Sequence, residues 1–186
     1  MRKNLGAKPF IFPQPVLVIG SYNDDGSANA MVAAWGCMAD MNKVAIYVAA
    51  SHKSMENILK RKSFTVAMAN AKNVVAVDYL GVVSGNNVVG KFAKSGFTAA
   101  KSEFVDAPVI AELPLTLECK VESYDAEAEL LLGEIVNVSA DESVLDADGK
   151  VDMTKLAPIC YDPSGHGYFA IGAKVGQAFS DGKNLK

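Results

Sequence analysis

The segment 24-DDGSANAMVAAWG-36 joins a turn signal to a run of small residues that ends in the single tryptophan of the chain. Asp25-Gly26 is a hairpin dipeptide, because glycine reaches positive φ without a Cβ clash. Residues 15–22, PVLVIGSY, and residues 27–38 therefore read as two antiparallel strands around that turn. Side chains alternate along a strand. Ala28, Ala30, Val32, Ala34 and Gly36 share one face; Ser27, Asn29, Met31, Ala33 and Trp35 share the other. Core strands favour bulkier β-branched residues, so the small face points to something that approaches the backbone closely. Two bodies fit. One is a flat ring, its edge read by backbone N–H and C=O groups and by the Asn29 amide, with Trp35 walling the pocket. The other is a helix packed tightly on the strand, with Trp35 in the core or an interface.

Outward from this hairpin the same alternation continues. Residues 43–50, KVAIYVAA, read as a third strand, and 51-SHKSMENILKRKS-63 as a loop and short helix capped by Ser54. Residues 63–69 return as a strand, 72–82 look helical, 84-SGNN-87 is a polar turn, and 88–96 is a short helix. Residues 97–112 read mostly as loop. Strands follow at 114–125, 130–141, 159–162 and 167–176, with a turn at 146-DADG-149. Short strands joined by hairpin-like turns, with helices confined to the middle connections, predict a mainly β antiparallel barrel in one domain spanning 1–186. A doubly wound parallel sheet is disfavoured.

Bulk properties exclude several functions. The 18 Lys+Arg and 21 Asp+Glu leave a net charge of −3 with no like-charged block. That argues against a nucleic-acid binder. Cys37, Cys119 and Cys160 are odd in number and lack a C-x-x-C pair, which disfavours disulfides and zinc and fits a reducing cytoplasm. Pro9, Pro13 and Pro15 break the apolar start, so it is a poor signal peptide, and no apolar run is long enough to cross a membrane. The expected location is cytoplasmic. No G-x-G-x-x-G, P-loop or G-x-S-x-G motif is present, and the acidic run 146-DADGKVD-152 lacks the calcium-loop order.

Three segments place polar groups beside small residues: 26-GSANAMVAAWG-36, 51-SHKSMEN-57 and 84-SGNNVVGKF-92. In the second, Ser51, His52, Lys53 and Ser54 sit between a strand and a helix start. Unpaired N–H groups there, with two hydroxyls and a lysine, suit a phosphate; a plain serine cap with exposed His and Lys is the plainer alternative. In the third, Ser84 and Lys91 face either the same ligand or solvent.

Taken in order, D-G-x-x-N-x-x-x-x-x-W (Asp25 to Trp35), S-x-K-S-x-x-N-I (Ser51 to Ile58), D-Y-x-G-x-x-S-G (Asp78 to Gly85) and K-F-A (Lys91 to Ala93) resemble the flavin reductase-like, FMN-binding split-barrel family, in its flavoredoxin-type branch. The resemblance runs from about Pro13 to Phe179. It implies a six-stranded antiparallel Greek-key split barrel and a homodimer with FMN near the subunit interface. By position, it implies that Asn29, Ala30, Met31 and Trp35 lie along the isoalloxazine. It implies that Ser51, Lys53 and Ser54 hold the phosphate, and that Ser84, Gly85 and Lys91 close the site. Tyr168 and Phe169, in the late strand, are expected to reach the flavin, in one arrangement from the other subunit.

The implied activity is NAD(P)H-dependent flavin reduction, with hydride passing from nicotinamide to flavin N5 and no side chain acting as acid or base. NADH and NADPH are not distinguished, since no ribose-reading motif is visible. One alternative is a flavoredoxin-like electron carrier that serves a protein partner without useful NAD(P)H turnover. Another is a non-catalytic module for flavin or haem, with His52 or His166 as an axial ligand.

Overall fold

The structure, a computed structural model, describes residues 1–185. After an irregular lead, the chain forms β1 (Gln14–Pro15), β2 (Leu17–Tyr22), β3 (Ala28–Ala33), β4 (Gly36–Asp40), β5 (Lys43–Tyr47), α1 (Lys53–Arg61) and β6 (Ser63–Met68). Next come α2 (Val74–Val82), α3 (Lys91–Lys94), β7 (Ala99–Lys101), β8 (Pro108–Ile110), β9 (Leu115–Asp125) and β10 (Leu130–Ala140). The chain closes with α4 (Met153–Leu156), β11 (Ile159–Tyr161) and β12 (Tyr168–Ala170).

The opening hairpin forms as its turn chemistry dictates. Gly26 sits at φ +81°, and the Asp25 carboxylate accepts hydrogen bonds from the Ser27 backbone N–H and hydroxyl. The register sets Leu17 opposite Ala33, Ile19 opposite Met31 and Ser21 opposite Asn29. The expected strand 27–38, however, breaks at Ala34-Trp35 into β3 and β4. Just past the break, a Cβ on Gly36 would lie 2.7 Å from Leu17 Cδ1 and 3.2 Å from the Ala45 carbonyl oxygen, so only glycine lets β4 begin this close to its neighbours.

That break shapes the molecule. The main sheet has seven antiparallel strands in the order β3-β2-β6-β9-β10-β5-β4. Its two edges, β3 and β4, are consecutive in the chain and joined only by Ala34 and Trp35. So short a link spans at most about 11 Å, so the edges approach each other and the sheet curls into a half-barrel. The mainly β split-barrel class is as expected, and the broken strand accounts for seven strands where six were expected.

Each face of the sheet carries its own core. Leu17, Ile19, Met31, Val44, Ile46, Phe64, Val66 and Leu131 pack on one face around Met55 and Ile58 of α1. On the other, Val16, Val18, Ala30 and Ala67 pack under Val77 and Leu80 of α2 and Phe92 of α3. Helices on both faces explain why Leu17–Ser21 of the central strand β2 are all buried, against the half-polar pattern of an exposed antiparallel strand.

Two connections differ in part from expectation. Residues 97–112 are mostly loop, as expected, but also hold the short β7–β8 hairpin, anchored where the Ser102 hydroxyl donates to the buried Glu118 carboxylate. The strand expected over 167–176 ends at Ala170. Beyond it, among the described residues, the backbone returns to the body only through Ile171 N–H to the Pro158 carbonyl, at 3.4 Å. No helix among the described residues is long and apolar enough to cross a membrane.

Candidate functional site

The three polar segments of the sequence meet around one cavity of about 600 Å³. β3 and its exit supply Asn29, Met31 and Trp35; the β5–α1 junction supplies Ser51, Lys53 and Ser54; the turn after α2 supplies Ser84 and Gly85, and α3 supplies Lys91. These nine of the twelve expected site residues line the same space. Ala33, Ala34, Tyr47, Val48 and Asn86 line it too. Alternation along β5 gives no sign of Tyr47; its place follows from the Trp35 bend, where Tyr47 N–H donates to the Trp35 carbonyl at 2.8 Å.

Three expected residues lie elsewhere. Ala30 is fully buried in the core under α2 and α3, because it alternates with Asn29 and Met31. On that face Ala28, Ala30 and Val32 pack toward the helices, with Val32 also bordering the cavity. A Cβ on Gly81 of α2 would sit 3.4 Å from Val32 Cβ, so small residues on both sides let the helix lie close. Of the two bodies considered for that face, the helix is the one present. Tyr168 packs against the same core and donates its hydroxyl to Asp78 Oδ1 at 2.9 Å; burial, then that carboxylate, push it up to about 12. Phe169 is exposed and lines a separate cleft with Phe12, Pro13, Cys160 and Tyr161.

The polar end of the cavity is built around the start of α1. His52 is the N-cap residue and makes no side-chain cap, and Ser54 stands one turn position inside the helix instead of capping it. The backbone N–H groups of Lys53 and Ser54 find no acceptor among the described residues. An uncapped first turn on a cavity wall offers donors and the positive end of the helix dipole to an anion. Asn29 is part of this end rather than of the apolar wall. Its Nδ2 donates to Ser21 Oγ at 3.1 Å and to Ser54 Oγ at 2.9 Å, which leaves no amide proton for a ring edge.

Above Asn29 lies the turn 84–87. A Cβ on Gly85 would come within 2.9 Å of Asn29 Oδ1 and 3.3 Å of Lys53 Cβ, so glycine is required for the turn to sit this low. Asn86 tethers it, donating from Nδ2 to the Ser51 carbonyl at 2.9 Å.

Two lysines set the charge. Lys53 pairs with Glu56 at 3.0 Å on the helix surface. Lys91 is 5% exposed and has no ion-pair partner among the described residues. Burial lowers it to about 8, where an ordinary lysine titrates above 10. A buried, unpaired ammonium on a cavity wall is costly unless an anion joins it. At the other end the walls are flatter and less polar: Met31, Ala33, Ala34, Tyr47, Val48 and Trp35, with Trp35 53% exposed at the mouth. The cavity thus pairs an anion-seeking end with an aromatic slot. It suits a planar ring joined to a phosphate.

His52 also lines the cavity, whereas His166 shares a hydrogen bond of 2.6 Å with the Tyr161 hydroxyl away from it.

Comparisons with known proteins agree with this geometry. Residues 10–165 match the family model described as "Flavin reductase like domain". Flavoredoxin of Desulfovibrio vulgaris (Miyazaki F) superposes with a TM-score of 0.93 at 34% identity, over 98% of this chain and all of that one. Flavoredoxin from Methanosarcina acetivorans gives 0.89 at 31% identity, over the full length of both. A protein of Aquifex aeolicus (strain VF5) is 23% identical over 161 residues, 80% of each chain. The chain belongs to the flavin reductase-like domain family and resembles its flavoredoxin-type members.

Proposed function

We propose that the chain binds FMN in this cavity and acts as an NAD(P)H-dependent flavin oxidoreductase. The observation that carries the reading is the pairing of an uncapped α1 N-terminus and a buried, unpaired Lys91 with a slot walled by Trp35. Family membership and the flavoredoxin likeness point the same way. The residues present fit the cofactor. Ser51, Lys53, Ser54 and the free N–H groups of α1 would hold the phosphate, with Lys91 adding the second positive charge. Met31, Ala33, Tyr47 and Trp35 would wall the ring, while Ser84, Gly85 and Asn86 close the cavity from above.

When bound, FMN supplies the redox chemistry, as hydride acceptor and then electron donor. The chain's own part is to orient the ring, neutralise the phosphate and keep one ring face open to a nicotinamide. None of the lining groups is needed as an acid or base.

An electron-carrier reading stands beside this one, favoured by the two flavoredoxin matches above 30% identity. Steady-state oxidation of NADH or NADPH in the presence of FMN separates them. Turnover supports the reductase; a flavin-loaded protein that turns over neither nucleotide is a carrier for a protein partner.

A homodimer belongs to the same proposal. Ile11, Phe12, Ile171, Val175 and Phe179 at the two ends of the chain are exposed, and Phe10, Ile11, Trp35, Cys37 and Tyr47 line an apolar groove beside the cavity mouth. Apolar surface of this extent is normally covered by a partner. A mass of twice 19.7 kDa by light scattering is the expected result. Cys37, Cys119 and Cys160 are unpaired, which supports a reducing, cytoplasmic setting.

A further inference from the structure

Beneath the polar end of the cavity runs a chain of buried side chains that touch the cavity only at its near end. Asn57, one turn further along α1, is 1% exposed and donates from Nδ2 to Asn23 Oδ1 at 3.0 Å and to Ser21 Oγ at 3.3 Å. Ser21, also 1% exposed, accepts a second hydrogen bond from Asn29, and Asn29 donates its other proton to Ser54. The order is Asn57, Ser21, Asn29, Ser54. Only Asn29 and Ser54 line the cavity.

The bookkeeping of protons gives this chain a direction. Both amide protons of Asn29 are committed to serine oxygens, so its rotamer is fixed from two sides. Ser54 Oγ accepts from Asn29 and donates to no acceptor among the described residues, so its proton is free for the cavity. Asn57 Oδ1 is buried with no partner. A buried polar chain that leaves a carbonyl unpaired stabilises the fold less than an apolar replacement would. Its presence is better explained by what it orients. The chain also links α1 to β2 and β3, which carry Ser21 and Asn29, and so sets where the first turn of α1 stands relative to the strand.

We propose that Asn57 and Ser21 are positioning residues for phosphate binding: they hold Asn29, and through it aim the Ser54 hydroxyl at the anion beside Lys53. This rests on the FMN reading above, and it adds residues that never touch the ligand.

The test compares FMN with riboflavin, which has the same ring and no phosphate. Affinities for both are measured by titration on the wild-type protein and on Asn57→Ala, with thermal unfolding alongside. The expected result is a roughly 10-fold loss of FMN affinity, as for one misdirected charge-assisted hydrogen bond, with riboflavin affinity unchanged. Equal losses for both flavins, or no loss for either, overturn the proposal, because a merely structural role does not single out the phosphate. Ser21→Ala removes one hydroxyl from the same link and gives the same reading if Asn57→Ala does not fold. A wild-type protein that takes neither flavin overturns the FMN reading itself, and the proposal with it, before any variant is compared.

Discussion

Two polar clusters, one at the start of α1 and one at the β11–β12 hairpin, make opposite use of their groups. At the α1 end, Asn29 and Ser54 are hydrogen-bonded to each other, yet the Ser54 proton, two helix N–H groups and the Lys91 ammonium stay uncommitted beside a cavity. At the β11–β12 hairpin the tyrosine hydroxyls are bonded within the protein. Tyr161 is bonded to His166, Tyr168 is bonded to Asp78, and the two tyrosine rings lie 6.1 Å apart. Both clusters hold hydroxyls and ionisable groups, so residue type alone does not separate a binding site from a structural clasp. What separates them is whether the hydrogen-bonding capacity is spent within the protein.

The comparison is most easily broken at its open end. Lys53→Ala with Ser54→Ala removes a charge and a free hydroxyl. FMN affinity should fall by about 2–3 kcal/mol, roughly 30- to 150-fold, and the unfolding temperature should drop modestly because Asn29 loses its Ser54 acceptor. Calorimetric titration checks this; a double variant that keeps wild-type affinity removes the anion assignment. Gly85→Val comes next. Its side chain would meet Asn29 Oδ1 and Lys53, lifting the 84–87 turn, and should weaken FMN binding by about 1–2 kcal/mol.

Lys91 sharpens the contrast through pH. Its ammonium is held down to about 8 by burial. A group whose folded value is lowered costs stability while it is protonated, and the cost is relieved as pH rises from about 8 toward the ordinary lysine value. Binding of a dianion requires the opposite form. FMN affinity should therefore be full between about pH 7, where the phosphate is a dianion, and pH 8, and decline above it, by up to about 1.5 kcal/mol at low salt. Lys91→Met should be weaker throughout and flat across that window. A wild-type profile without a step near pH 8 would mean that the ammonium does not face the phosphate.

The smallest effect is expected at the β11–β12 cluster. Tyr168→Phe leaves Asp78 without its donor and should cost about 1 kcal/mol of folding stability, read by denaturant unfolding. Its effect on FMN affinity in a single protomer should be nil. A change in affinity would show that the hairpin reaches a flavin across a subunit boundary.

Much of this architecture is legible in the sequence, and the exceptions have physical causes. The Asp25-Gly26 hairpin, the strands that became β5, β6, β9 and β10, and the helices α1 and α2 follow from turn chemistry and side-chain period. The break between β3 and β4 does not. Ala33, Ala34 and Trp35 continue the alternation without interruption, and the need for glycine at Gly36 comes from Leu17 and Ala45, which are remote in sequence. Nine expected cavity residues came together because they sit on three motifs whose spacing reflects local geometry. Ala30, implied by the resemblance to lie along the ring, sits beside Asn29 and Met31 in sequence, but period two turns its side chain to the opposite face. Asn57 falls within the S-x-K-S-x-x-N-I motif and Ser21 within the β2 stretch, yet nothing in their types or spacing shows that together they support Asn29. Their role shows only when the hydrogen bonds are traced one by one.

The only tryptophan of the chain stands at the cavity mouth, so one titration reads the central claim. FMN, and separately riboflavin, should be added to the protein while Trp35 emission is followed. The predicted result is saturable quenching by FMN at one equivalent per chain, with riboflavin at least about 30-fold weaker, because the open groups at α1 recognise the phosphate. Quenching by both flavins at equal concentration, or by neither, would contradict it.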